Sequence, residues 1–371
     1  MKPYVCVVGA VNLDICGRPE KKLIFRDSNP GAVTLTPGGV GRNIAHDLRL
    51  LGVEVKFLTA FGGDSHAQLL RNDCVELGMD LSCALDVPDG RTSTYLYITD
   101  ERGEMQLGLC DTDISAAITP AYLQRHLDVL NSAAAVVLDG NLTAETITWL
   151  GTHCSAPLFA DPVSVTKAER MRAALGALHT FKPNLTEGQN LTGESTPEGI
   201  VAALLAQGVQ RVFLSMGADG ILAGTRAELV HLPCLPTCMV NTTGGGDAVM
   251  AALVWAYLQG LDLRESAAAA LRAGKATVEY PGTNNPDAVH GDAYVVIDII
   301  KRRQETDSNG MPVSIGKADI ERTLQAAGRC TICFFCITHH KTQFAVTDRD
   351  RHIFTGGGQC IGTGTKEQTI G

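Results

Sequence analysis

Over its first 300 residues the chain alternates short apolar runs with stretches of helical period, which leaves few folds open. Tyr4–Val8, 54–59, 135–138, 157–159, 179–181 and Arg211–Ser215 read as strands, and 43–51, 65–77, 120–130, Pro197–Ala206 and 247–258 as helices. Strands separated by helices of this length predict βαβ units. They build a doubly wound, mainly parallel α/β sheet with helices on both faces. Such sheets bind ligands beyond the carboxyl ends of their strands. Segments near 16–36 and 91–109 break the alternation, because they look extended and carry no helical period. Paired, they would form a small β-sheet lid that keeps water from a reaction.

Composition narrows the partners. A net charge of -9 argues against a surface that holds a nucleic acid polymer, while leaving room for a small nucleotide gripped by a few amides and a lysine. The apolar runs at Tyr4–Val8 and 248–258 are too short to span a bilayer, so no membrane is expected. Twelve cysteines scattered through 371 residues, with no recognisable leader, predict reduced thiols and a cytoplasmic protein. Residues 1–300 are expected to form the working domain. Residues 301–371 read as a loosely ordered C-terminal extension: 301–307 is a polar run and 355–371 is rich in Gly and Thr. Cys330, Cys333, Cys336, His339 and His340 have the look of a metal knuckle, but the second cysteine pair of a zinc site is missing.

The strongest chemical signal is Asn241-Thr242-Thr243-Gly244-Gly245-Gly246-Asp247, which runs straight into an apolar helix. Three glycines let successive N–H groups converge at the positive end of that helix, a hollow suited to a phosphoryl group in flight. Asp247, ionised at neutral pH, would stand beside it as a base for an attacking hydroxyl. Taken alone, the segment also reads as a turn followed by a capped helix. A second glycine turn, Gly38-Gly39-Val40-Gly41-Arg42-Asn43, opens another helix. Upstream, Asn12-Leu13-Asp14 closes the first strand with a carboxylate able to accept two hydrogen bonds from a vicinal diol.

Together, Gly38-Gly39-x-x-x-Asn43-x-Ala45 and Thr242-x-Gly244-x-Gly246-Asp247 resemble the two motifs of the ribokinase-like (PfkB) carbohydrate kinases, in the same order, within a likeness spanning about residues 4–290. The resemblance implies a ribokinase-like fold with a small β lid and transfer of the ATP γ-phosphate to a sugar hydroxyl. It implies that Asp247 is the base, that Gly244, Gly245 and Gly246 form the anion hole, and that Asn12, Asp14, Gly39 and Asn43 hold the sugar. Lys182-Pro183-Asn184-x-x-Glu187 is similar to the family element that positions Mg²⁺ and phosphates, with Asp161 reaching the metal through water. Ser215, Gly217 and Gly220 resemble its nucleotide-binding turn. Asn-x-x-Glu is common by chance, Asp161 reads equally as a strand cap, and the turn as an ordinary strand-to-loop connection.

Within the family, Ser28-Asn29-Pro30-Gly31, Asp161-Pro162-Val163-Ser164 and Thr283-Asn284-Asn285-Pro286-Asp287 resemble the subgroup acting on pseudouridine at its 5'-hydroxyl. Thr94, Tyr95 and Asn141 are the candidates for reading base or ribose. Two departures stand out: most relatives carry Asp where this chain has Asn241, and Ala where it has Gly245. The lost carboxylate weakens the monovalent-cation (K⁺) site implied around Asn241 and Thr243. Other acceptors (ribose, fructose, a keto-deoxy sugar) and a non-catalytic sugar sensor remain open, as does a homodimer formed through the lid edge.

Overall fold

The computed structural model describes residues 3–287 and four two-residue strand pieces beyond them. Two compact units separate at Met1–Val289 and His290–Gly371. In the second unit, Ile332–Cys333 pairs with Ala345–Val346 and Ile353–Phe354 with Cys360–Ile361, both antiparallel. The expected loose order of 301–371 and the cysteine–histidine knuckle lie otherwise outside the described residues.

In chain order the first unit runs β1 (Tyr4–Val8), β2 (Asn12–Pro19), β3 (Gly31–Gly38), α1 (Val40–Leu50), β4 (Glu54–Leu58), β5 (Ala60–Gly62), α2 (Ser65–Glu76) and β6 (Leu85–Val87). Then come β7 (Thr94–Thr99), β8 (Met105–Asp111), α3 (Pro120–Gln124), α4 (Leu127–Asn131), β9 (Ala135–Asp139), α5 (Ala144–His153), β10 (Leu158–Asp161) and α6 (Val165–Ala168). The remainder is β11 (Leu178–Phe181), α7 (Leu185–Thr192), α8 (Pro197–Ala206), β12 (Arg211–Ser215), β13 (Ile221–Gly224), β14 (Leu229–Leu232), α9 (Gly245–Leu258) and α10 (Leu263–Val278).

Eight strands form the main sheet in the order β14-β13-β12-β11-β10-β9-β1-β4, parallel from β12 to β4. Alternate residues of β1 feed two cores. Cys6 and Val8 pack with Tyr122, Ile147 and Leu204, while Val5 and Val7 pack with Ile44, Leu48 and Met250. Both faces are therefore covered, as a near-continuous apolar strand requires. The antiparallel edge made by β13 and β14 was not legible in the sequence. Between β12 and β13 the chain has only residues 216–220, too few for a crossover, so it must turn back. The helix expected over 120–130 is two short ones: at Arg125 and His126 the amides bond three residues back, to Tyr122 and Leu123, and the α-helical ladder breaks.

The lid is a four-stranded sheet in the order β3-β2-β7-β8. It begins earlier than expected, at Asn12, so the carboxylate of Asp14 belongs to a lid strand. Strands β2 and β7 run parallel with Leu13 beside Thr94 and Asp14 beside Tyr95. Paired neighbours share a face, and successive residues alternate. No helix among the described residues is long and apolar enough to cross a membrane.

Candidate active site

Both glycine motifs start helices at the carboxyl edge of the sheet. Gly39 precedes α1 with φ 98, and a Cβ there would lie 2.6 Å from the Ala10 carbonyl oxygen. Only glycine fits both the left-handed backbone and that approach. Arg42 N then donates to Ala10 O at 3.0 Å, fastening α1 to the end of β1. Gly244 precedes α9 with φ 82, and a Cβ there would collide with the Thr283 carbonyl. The first helical bond runs from Ala248 N to Gly244 O at 2.9 Å, and no side chain caps the helix. The N–H groups of Gly245, Gly246 and Asp247 thus lie ahead of the ladder, unspent, where an anion is favoured.

Asp247 is buried in that first turn, and Asn43 Nδ2 donates to its Oδ2 at 2.8 Å. Burial pushes the Asp247 carboxyl well above the ordinary range, and nearby Asp161 adds to the rise; the Asn43 bond and Lys182 oppose it. Lys182 follows β11, with Nζ 3.0 Å from Asp161 Oδ2. A Cβ on Gly246 would sit 3.3 Å from that Nζ, so the ammonium lines the hollow of the glycine turn. Burial works against its charge, but Asp161, helped by Glu187 and Asp247, holds the Lys182 pKa above its ordinary value.

Asn184 and Glu187 form a capping box at the start of α7: Glu187 N donates to Asn184 Oδ1 at 2.9 Å, and Asn184 N to Glu187 Oε2 at 2.8 Å. The Asn-x-x-Glu element therefore has a structural job whatever else it does. Glu187 Oε1 and Asn184 Nδ2 stay outside the cap. Asp161 Oδ1 accepts from Val163 N at 2.9 Å, so this residue is also the strand cap. No group of three or more His, Cys, Asp or Glu able to hold a metal ion occurs among the described residues. Asp161 and Glu187 fit a Mg²⁺ held largely through its own waters.

Ser215 ends β12 beside the same elements, its N–H donating to Pro183 O at 3.0 Å. Gly217 and Gly220, with φ 60 and 88, make the tight turn after it. Asn241 spends both ends of its amide: Nδ2 donates to Pro281 O, in the segment after α10, at 3.2 Å, and Oδ1 accepts from Thr243 N at 3.0 Å. A carboxylate could not make the first of these bonds.

Where the lid meets the main sheet, Asn12 Nδ2 donates to Asp14 Oδ1. Burial raises the Asp14 carboxyl to about 6, with Asn12 and Arg42 pulling the other way. Asn141 is buried above β9, its Oδ1 accepting from Lys167 Nζ at 2.6 Å. An ammonium only donates, so the Asn141 NH₂ points away from Lys167, and the Asn141 side chain also hydrogen-bonds the neighbouring Asp139 carboxylate. Thr94 is not brought to the face of Asp14; it pairs with buried Leu13, and its hydroxyl donates to Thr92 O at 3.2 Å. Tyr95 does share the face of Asp14, and its ring stacks on Tyr97 with centroids 5.4 Å apart.

Sequence reasoning missed four groups. Asp139 accepts from Ala10 N at 2.9 Å and Asn141 N at 2.8 Å, tying β1 to β9 under the site. Buried Arg42 and Asp47 form a cluster with half-buried Asn284 behind Asn43. Arg42 and Asn284 lay inside the quoted motifs, but nothing in their spacing signalled contact.

Residues 2–289 match the profile of the pfkB family carbohydrate kinases. The chain belongs to this family. It is similar to the pseudouridine kinase of Escherichia coli (strain K12), at 38% identity over 77% of this chain and 94% of that protein. It also resembles the pseudouridine kinase of Arabidopsis thaliana, at 26% identity over 80% of this chain and 96% of the other. Among solved structures, Arabidopsis thaliana ribokinase complexed with ribose and ATP superposes with a TM-score of 0.68. That alignment has 21% identity and covers 78% of this chain and 98% of the ribokinase, a likeness of fold. As a pfkB carbohydrate kinase, the protein is an ATP-dependent phosphotransferase that acts on a hydroxyl group.

Proposed function

We propose that this pfkB kinase transfers the ATP γ-phosphate to the 5'-hydroxyl of pseudouridine. The observation that carries the choice of acceptor is the 38% identity, over most of both chains, to a pseudouridine kinase. The geometry supports the chemistry. Asp247 takes the proton of the acceptor hydroxyl as its oxygen attacks the γ-phosphorus and ADP departs. The amides of the glycine turn, Gly244, Gly245 and Gly246, and that of Asp247, with the Lys182 ammonium beside them, stabilise charge on the transferring group. Asp14, Asn12, Gly39 and Asn43 hold the ribose, while Asn141 and Tyr95 meet the base. Asn184, Ser215, Gly217 and Gly220 line the nucleotide side. Mg²⁺, held by Asp161 and Glu187 through water, would neutralise phosphate charge there.

Two lesser readings accompany this one. The lid carries Val33, Leu35, Leu107 and Leu109 on one face, exposed by 67%, 51%, 52% and 61%. A row of large apolar side chains beside two sheet edges that are unpaired among the described residues suits a second copy of the chain, giving a homodimer through the lid. The cytoplasm, where ATP is held, suits the reaction.

A coupled ADP-release assay across pseudouridine, uridine, adenosine, ribose and fructose tests the acceptor. Pseudouridine should be preferred. Equal kcat/KM on ribose or fructose would reject the nucleoside and leave only the family activity.

A further inference from the structure

Behind the Asn43–Asp247 pair lies a layer of polar side chains that the proposed reaction does not use. Arg42 is 5% exposed, and its Nε and Nη2 donate to Asp73 Oδ2 at 3.0 and 2.8 Å. Its Nη1 donates to two amide oxygens, Asn43 Oδ1 at 3.2 Å and Asn284 Oδ1 at 2.8 Å. A guanidinium has no acceptor, so each amide must turn its oxygen toward Arg42 and its NH₂ away. For Asn43 this polarity aims Nδ2 at Asp247. For Asn284 it aims Nδ2 at α1, where it donates to the Asn43 carbonyl at 3.1 Å and to Asp47 Oδ1 at 2.9 Å. One side chain in the loop after α10 therefore grips Arg42, Asn43 and Asp47 at once. Its neighbour Thr283 presses its carbonyl against Gly244, so the same loop touches the anion turn.

We propose that Asn284 is a positioning residue for phosphoryl transfer, locking the Asn43 amide in the polarity that serves Asp247 while its loop braces the glycine turn. The proposal rests on Asp247 being the base. Without Asn284, Arg42 loses a partner and the Asn43 backbone loses a tether, so only the 3.2 Å Arg42 bond still opposes rotation of the Asn43 amide. Turned over, it would present oxygen to the Asp247 carboxylate and repel it. The charged groups acting on Asp247 are Asp161 from the end of β10, Lys182 from the end of β11 and Asp47 from α1. An Asn284 substitution leaves all three in the chain. A change in the Asp247 titration would then report chiefly the Asn43 bond, with any shift of Asp47 as the secondary route.

The test is Asn284→Ala and Asn284→Ser in the full chain, with kcat followed against pH and Asp247→Asn assayed alongside. The expected result is a kcat lower by roughly tenfold, a KM for ATP within about twofold, and an acid limb moved to higher pH. Asn284→Ser keeps a small polar group and decides the matter if the alanine variant does not fold. A purely structural role would lower Tm while leaving kcat per folded molecule and the acid limb in place, and that result overturns the proposal. If Asp247→Asn is crippled while both Asn284 variants match the wild type, the positioning role falls alone. An active Asp247→Asn would instead reject the base, and this proposal with it.

Discussion

Asn43 Nδ2 donates to Asp247 Oδ2 at 2.8 Å, joining two glycine-rich motifs that lie 204 residues apart. Each motif opens a helix, and the bond sets the two helix starts face to face over the carboxyl edge of the sheet. The bond also has an electrostatic task. Burial and Asp161 both favour the protonated form of Asp247, and the base proposed there must be ionised to act. A hydrogen bond to the carboxylate, with Lys182 beside it, returns part of that ionisation.

Asp247→Asn keeps the shape of the helix start and removes the proton acceptor. We expect kcat to fall by roughly 10²–10⁴ with the KM for ATP little changed. In the wild type the acid limb of kcat should lie well above the value of about 3.9 for a free aspartate, because the carboxyl is pushed upward by burial. Activity retained within about threefold in the variant would reduce Asp247 to a helix cap.

Asp14 should make acceptor binding depend on pH. Its carboxyl is raised to about 6 by burial, so below that pH it is protonated and loses half its capacity to accept sugar hydroxyls. The KM for the acceptor should rise as pH falls through about 6, and the KM for ATP should not. Asp14→Ala at pH 8 should raise the acceptor KM by the worth of a charge-assisted contact, roughly 1.5–3 kcal/mol. Equal changes in both KM values would assign Asp14 to the lid fold instead.

Asn241 bears on the cation. Its NH₂ already holds the Pro281 carbonyl and its oxygen the Thr243 amide, bonds that tie the loop before α9 to itself and to the segment after α10. We expect kcat in sodium or Tris salts to match that in potassium within about twofold. Asn241→Asp loses the donor and adds a charge, and should create a potassium requirement. A strong potassium requirement in the wild type would show that other oxygens of the loop bind the ion.

Asp47 predicts a stability effect. Its Oδ2 has no hydrogen-bond partner among the described residues, and burial raises its carboxyl to about 7, against about 3.9 when unfolded. Between those values the folded state binds the extra proton. The stability it contributes is therefore full at the acid end and lost as pH rises through 7. Asp47→Asn can still accept from Asn284, so it should flatten this dependence and stabilise the fold at pH 8 by roughly 1–3 kcal/mol. Thermal melts at pH 5 and pH 8 measure it; a variant less stable than wild type at pH 8 would mean that the ionised form is well paired.

How much of this was legible in the sequence follows from the range of each interaction. Gly39 and Gly244 were legible because a left-handed turn before a helix is a local demand, and the carboxylate of Asp247 stands next to it. The Arg42 cluster was not, since its partners Asp73 and Asn284 lie 31 and 242 residues away and only the folded chain brings them together. The Asn184–Glu187 pair was legible as spacing but not as a capping box, because the same spacing serves both purposes. The lid shows the limit best. Its extended character was readable, yet which of Thr94 and Tyr95 faces the sugar depends on the pairing of β2 with β7, and a shift of one residue reverses the answer.

That register decides the last prediction. Pseudouridine joins its uracil to ribose through a carbon–carbon bond and keeps a free N1–H, so its base edge differs from that of uridine by one donor. A buried site built to pair that edge leaves polar groups unmatched with uridine or free ribose, and kcat/KM for pseudouridine should exceed both by at least about a hundredfold. Tyr95 lies beside Asp14 and stacks on Tyr97, which presents an aromatic surface on the lid face that carries Asp14. Stacking of a base on an aromatic ring contributes roughly 1–3 kcal/mol. Tyr95→Ala should therefore lower kcat/KM for pseudouridine by about 5- to 100-fold and leave ribose nearly unchanged. Tyr95→Phe should cost little, because the hydroxyl already rests on Met105 Sδ at 3.1 Å. Thr94→Val, on the opposite face, should leave the preference intact within about threefold. A larger loss from Thr94→Val than from Tyr95→Ala would mean that the lid turns over when it closes on the nucleoside.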